Sequence, residues 1–358
     1  MSQTIRTMAA AVAIAAAVAG TTPTGLTAQA QEWSFGTDPF AELWYHGLAM
    51  VGFEGFGRIP LYDAEYAWDV VAARRDSEIE PTPLERERGS LQAALGRDPA
   101  FEVLHFVPLY LTDAPIDVAL DALDGLGSGG GLRAEEGIAR EVDALGRVLH
   151  EPSQQRTLAR FVEALRAERP HLPPRDASAL EARARELEQI WTETVRGPLG
   201  GFVTREGFST GRVIVTPALG PEGRIRERGD LSVVVVGASA ETEPSAVVGA
   251  VVRELCFPAV RRVLDPYEAW FENRTMVSDV SDQAATRCGA LLLEAHAPEL
   301  LAAYQDRFGG AASDAAFLSA AGFSPGAAAL EQQLDHALRR EIELDEGSRR
   351  AISGPAGR

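Results

Sequence analysis

Lysine is missing from this chain: all 34 basic residues are arginine, and Asn273 is the only asparagine. The absence removes amine chemistry of the Schiff-base kind. Set beside the abundant alanine, it reads as the composition bias of a GC-rich coding sequence. Histidine is scarce as well, with 6 copies, none of which pairs with another at i, i+4 on one helix. There is no G-x-S-x-G turn for a serine nucleophile, since Gly207-Phe208-Ser209-Thr210-Gly211 carries similar residues in the wrong order. The glycines of Asp124–Gly131 lack the strand-to-helix spacing of a phosphate-binding loop and read as a flexible linker. Uninterrupted apolar stretches of about 20 residues, the length a membrane span needs, do not occur.

What stands at the start of the chain is a leader for export. Arg6 precedes an apolar run from Met8 to Gly20, and a polar stretch ends in Ala28-Gln29-Ala30, small residues that suit signal peptidase. Residues 1–30 are therefore expected to be removed, leaving an exported protein, periplasmic or extracellular, that begins near Gln31. No stable membrane insertion is expected after cleavage. The chain carries a net charge of −18, and loss of Arg6 makes the remainder −19. Such a field repels nucleic-acid phosphates, so nucleic acid is excluded as a partner and an unidentified protein or peptide is expected instead.

Hydrophobic spacing predicts an α+β protein, mostly helical. Asp38 and Pro39 open a helix with Phe40, Leu43, Trp44 and Leu48 on its apolar face; a second covers Asp63 to Arg75. Charged residues 76–90 read as a surface loop, and short helical pieces follow at 90–96, 99–111 and 115–124. Three more helices are expected at 133–150, 153–168 and 176–196. Gly201–Thr204, Arg212–Thr216 and Leu231–Gly237 read as a small antiparallel sheet, with Ser232-Val233-Val234-Val235-Val236 as its buried strand. A capped helix then runs from Thr242 to about Leu264, followed by helices at 280–295, 297–307, 313–320 and 326–343. The division is thus a helical region over 31–195, a region of sheet and helices over 196–343, and a tail over 344–358. The early aromatics, among them Trp33, Phe40, Trp44, Tyr45, Tyr62 and Trp68, read as core, and His46 in their midst as a packed histidine.

Chemistry is suggested by one stretch, Val251-Val252-Arg253-Glu254-Leu255-Cys256-Phe257-Pro258, on the capped helix that follows the sheet. It resembles the active helix of gluzincin-type zinc metallopeptidases, whose H-E-x-x-H places two zinc-binding histidines on one helical face beside a general-base glutamate. Glu254 matches that glutamate, while Arg253 and Phe257 stand at the two histidine positions. Glu42-Leu43 with Leu48-Ala49, and Tyr62-Asp63-Ala64-Glu65-Tyr66, are similar to the opening helix and turn of secreted members. The resemblance implies a zincin-like fold and an acidic residue about 25–35 positions downstream, where Asp279 and Asp282 lie.

Arginine is cationic at any working pH and phenylalanine has no lone pair, so zinc is expected to be lost and no metal or other cofactor bound. A buried guanidinium needs a carboxylate, so Arg253 is expected to pair with Asp279, Asp282 or Glu254; the alternative is an ordinary surface pair on a helix. The two cysteines, Cys256 and Cys288, have a single possible connectivity in an oxidising compartment. A bond would close a loop of about 30 residues and stabilise by roughly 3 kcal/mol; two buried thiols that never meet are the other outcome. The resemblance puts them on neighbouring helices, which suits a disulfide. The expected function is a secreted, catalytically inactive metallopeptidase-like protein with a binding or scaffold role. Two readings stay open beside it: an active secreted hydrolase using Glu254 or an unrecognised site, and a helical envelope protein unrelated to zincins.

Overall fold

The computed structural model describes residues 33–54, 60–127, 136–172, 177–228, 231–239, 241–270, 274–313, 318 and 330–341. The expected leader, most of the linker, and the tail fall outside these residues. The described chain is mostly helical around one small sheet, as the spacing predicts. Among the described residues no helix is long and apolar enough to cross a membrane.

The sheet has four strands: β1 (Trp33–Gly36), β2 (Gly211–Thr216), β3 (Arg224–Arg228) and β4 (Leu231–Gly237), in the order β1-β2-β4-β3. It is mixed rather than antiparallel. β1 pairs with β2 and β2 with β4 in parallel, and only the β3–β4 hairpin is antiparallel. The expected first strand, Gly201–Thr204, lies instead in the helical turn Gly200–Arg205. Its buried residues explain why: Leu199, Phe202 and Val203 fall at i, i+3 and i+4, one face of a helix.

Valines decide how the sheet sits. Val213, Val215, Val234 and Val236 join one apolar core, while Ile214, Val233 and Val235 join another on the opposite face. Alternate residues of a strand point to opposite sides, so a run apolar at every position needs a covered sheet on both faces.

One layer is built from α1 (Pro39–Val51), α2 (Tyr66–Asp76), α3 (Pro83–Leu95), α4 (Ile116–Gly127), α5 (Glu136–Val148) and α6 (Pro152–Glu168). Asp38 caps α1, its carboxylate accepting from the Ala41 amide at 2.9 Å. The presence of α3 corrects the expected loop over 76–90. Thr82 and Glu85 form a reciprocal capping box, and Leu84, Leu91 and Leu95 are buried on one face of an otherwise charged run. The start of the expected linker, up to Gly127, likewise belongs to α4.

His46 is buried in this layer, within 2.9 Å of both the Tyr66 hydroxyl and the Glu168 carboxylate. Arg74 also donates to Glu168, and to Glu85 at 2.9 Å. The network joins α1, α2, α3 and the end of α6. Phe40, Trp44, Tyr45 and Tyr62 are buried as expected, whereas Trp68 is 69% exposed on α2.

The other layer is built from α7 (Ala177–Ile190), α8 (Pro244–Leu255), α9 (Phe257–Leu264), α10 (Arg274–His296) and α11 (Leu301–Phe308), with residues 330–341 helical beside them. β1 is tied to this layer: Trp33 and Trp191 rings lie 4.9 Å apart, and the indole lies so close to Gly211 that a Cβ there would stand 2.5 Å from it.

Candidate functional site

The motif begins where β4 leaves the sheet and α8 begins. Glu243 caps α8, its side chain accepting from the Ala246 amide at 2.9 Å. The helix ends at Leu255, earlier than expected, because Pro258 has no amide hydrogen to continue the ladder. The chain stays helical in backbone angle through Cys256, so positions 253 and 257 still share a face. The Arg253 guanidinium carbon lies 5.2 Å from the centre of the Phe257 ring.

Arg253 is wholly buried and its N–H groups are spread over three partners. It donates to Glu254 at 2.6 Å, to the Thr286 hydroxyl at 3.0 Å and to Asp282 at 3.4 Å. The expected pairing with Glu254 and Asp282 is present, and the surface-pair alternative is not. Asp279, also buried, lies one turn earlier on α10 and is not a partner of Arg253. Two glycines let α8 and α10 approach around the Tyr304 ring of α11: a Cβ at Gly249 would meet it at 2.8 Å, and one at Gly289 would meet its hydroxyl at 2.5 Å. That hydroxyl donates to the Thr286 carbonyl at 2.8 Å.

A roof closes the site. Residues 220–224 lead into β3 and cover Glu254 so tightly that a Cβ on Gly223 would stand 2.9 Å from the Glu254 Cγ and 2.6 Å from the Val235 carbonyl. Within the roof Arg224 is bonded to Glu222 and lies over the Phe106 ring at 5.7 Å, and further along β3 Arg226 stacks on Tyr110 at 3.3 Å. The segment 99–110 of the first layer thus lies against β3. From below, Arg307 donates to the carbonyls of Gly220 at 2.9 Å, Gly237 at 3.1 Å and Pro221 at 3.4 Å.

The electrostatics follow from burial. Burial works against charge on Arg253, but Glu254, Asp282 and Glu222 outweigh it and raise the pKa, holding the guanidinium protonated. Burial pushes the Glu254 carboxyl up, against the pull of Arg253 and Arg224. Asp282 is pushed up to about 7, by burial first and by Glu222 next. Arg307 is lowered to about 10 by burial and by the nearby Arg253.

Cys256 and Cys288 are brought together but are free thiols, which corrects the expected disulfide. Burial, and the hydrogen bond to Cys288, push the Cys256 thiol well up. A thiol kept protonated in this way is a poor nucleophile for bond formation.

As a set these residues do not suit zinc. Arg253 presents only donors, Phe257 presents nothing, and the carboxylates are turned to arginines. Among the described residues no three His, Cys, Asp or Glu side chains are placed to hold a metal ion. Sequence spacing missed Glu222, Arg224, Thr286, Tyr304 and Arg307. A strand reading Arg-Ile-Arg-Glu-Arg looks solvated, and its only clue was the Gly-Pro-Glu-Gly turn ahead of it. No family model, curated protein or solved structure matches the chain.

Proposed function

We propose that this is an exported, catalytically inactive relative of the H-E-x-x-H zinc metallopeptidases, with a binding or scaffold role toward a protein or peptide. One observation carries the reading: a guanidinium is buried beside Glu254 and Asp282, on the helical face where that family would hold its metal. Arg253 supplies from within the chain the positive charge that a metal would supply there. The glutamate that would act as a base is hydrogen-bonded to a fixed cation and roofed by Gly223, out of reach of water and substrate. Support also comes from the order of elements, a sheet edge followed directly by the motif helix and then an acid-bearing helix. The acidic charge of the chain disfavours nucleic acid as the partner.

The test restores the ligands. The Arg253→His, Phe257→His double variant is expected to take up one zinc per chain in a calorimetric titration, and to lose that uptake when Asp282→Asn is added. The wild-type chain is expected to release no peptides from casein. Chelator-sensitive hydrolysis by the wild type would favour an active hydrolase, and a double variant that folds yet ignores zinc would remove the metallopeptidase ancestry.

A further inference from the structure

We propose that Asp282 and Glu222 form a buried proton-binding site, holding one proton that links the roof over 220–224 to α10. The claim goes beyond the inactive-peptidase reading and does not depend on it. It starts from a count of charges. Three carboxyls, Glu222, Glu254 and Asp282, share a buried cluster with two guanidiniums, Arg224 and Arg253. An unneutralised charge in such a place is costly, so the cluster should bind one more positive charge.

Two atoms mark where it goes. The Glu222 Oε2 and Asp282 Oδ2 oxygens are buried and have no hydrogen-bond partner, although the second oxygen of each carboxyl is bonded to an arginine. A buried acceptor left without a donor is unfavourable, and a carboxyl that keeps its proton becomes a donor itself.

The groups around Asp282 come from every neighbouring element. α8 contributes Arg253 and Glu254, and the roof and β3 contribute Glu222 and Arg224. Its own helix adds Asp279 and Thr286, whose hydroxyl donates to the Asp282 carbonyl at 2.9 Å. α11 adds Tyr304, bonded to Thr286, and Arg307, which bonds roof carbonyls and acts on Arg253. Glu222 is the charge that opposes ionisation of Asp282 most, ahead of both arginines. A proton at this place satisfies both acids at once.

The sign of the effect is fixed. Asp282 holds its proton to about 7 in the folded chain and only to 3.8 as an ordinary aspartate. Between those values the folded state binds more protons than the unfolded one, so stability from this site is full at low pH and fades as pH rises through 7. From pH 6 to pH 8 the folding equilibrium constant should fall about tenfold on this account alone.

Urea unfolding at pH 6 and pH 8, on the full chain and on Asp282→Asn, measures it. The variant is expected to lack that tenfold step and to be at least as stable as wild type at pH 8. Glu222→Gln is expected to move the step to lower pH, because the repelling charge is gone. Carbon-13 spectra of labelled aspartate should show one carboxyl titrating near 7 that Asp282→Asn removes. An Asp282 resonance that titrates in the ordinary aspartate range would overturn the proposal. So would an equal pH step in Asp282→Asn, or a stability that follows sodium or potassium concentration at fixed pH.

Discussion

Arg253→Met should destabilise the protein by about 3–5 kcal/mol, the cost of removing one partner from a buried ion pair. Methionine fills much of the arginine's volume, so the loss does not come from a cavity. It comes from leaving Glu254 and Asp282 buried with no donor from α8, while Thr286 loses its contact at 3.0 Å. Urea unfolding gives the number. Neutralising the orphaned acids in the same chain, as Arg253→Met, Glu254→Gln, Asp282→Asn, should recover most of the loss, because a neutral set can replace a buried ionic one at little cost. A loss below about 1 kcal/mol for the single variant would place Arg253 at a solvated surface, where ion pairs contribute little.

Glu168→Gln is the second large effect, at about 3 kcal/mol near neutral pH. Burial alone would raise the Glu168 carboxyl, but hydrogen bonds from His46, Thr82 and Arg74 outweigh it and hold it at about 2, against 4.5 for an ordinary glutamate. A carboxylate depressed in this way stabilises the fold fully above the ordinary value, and that contribution is lost as pH falls from 4.5 toward 2. The gap between wild type and variant should therefore be widest above pH 5 and close near pH 2. Thermal unfolding across that range checks it; a gap that stays constant with pH would mean that the ionised carboxylate is not what holds α1, α2 and α6 together.

These two buried networks differ in how much of them the sequence announces. The pairing of Arg253 with Glu254 and Asp282 is readable because a guanidinium on an apolar helix face must find carboxylates, and few lie at the right distance along the chain. α1 is readable from Asp38, Pro39 and its apolar spacing, and β4 from four consecutive valines.

β1 is not readable. It has four residues, and its partner is far away in sequence: Trp33 pairs with Gly211. Parallel pairing leaves no turn between partners to signal it. β3 hides for the opposite reason, since its arginines look solvated until Tyr110 and Phe106 are placed over them. Missing β3 meant missing Glu222 and Arg224, and with them the roof. The capping box of α3 was visible in Thr82 and Glu85 but was obscured by the surrounding charge. The cysteines were rightly brought together by the resemblance, yet nothing in spacing tells whether neighbouring thiols are bonded.

The claim on which the account rests is that Arg253 occupies the place a metal would need. Saturating the purified wild-type chain with zinc, removing the excess by gel filtration and measuring bound metal by elemental analysis tests it directly. The account predicts no zinc above the level retained by Glu254→Gln. One zinc per chain in the wild type, lost in Glu254→Gln, would contradict it.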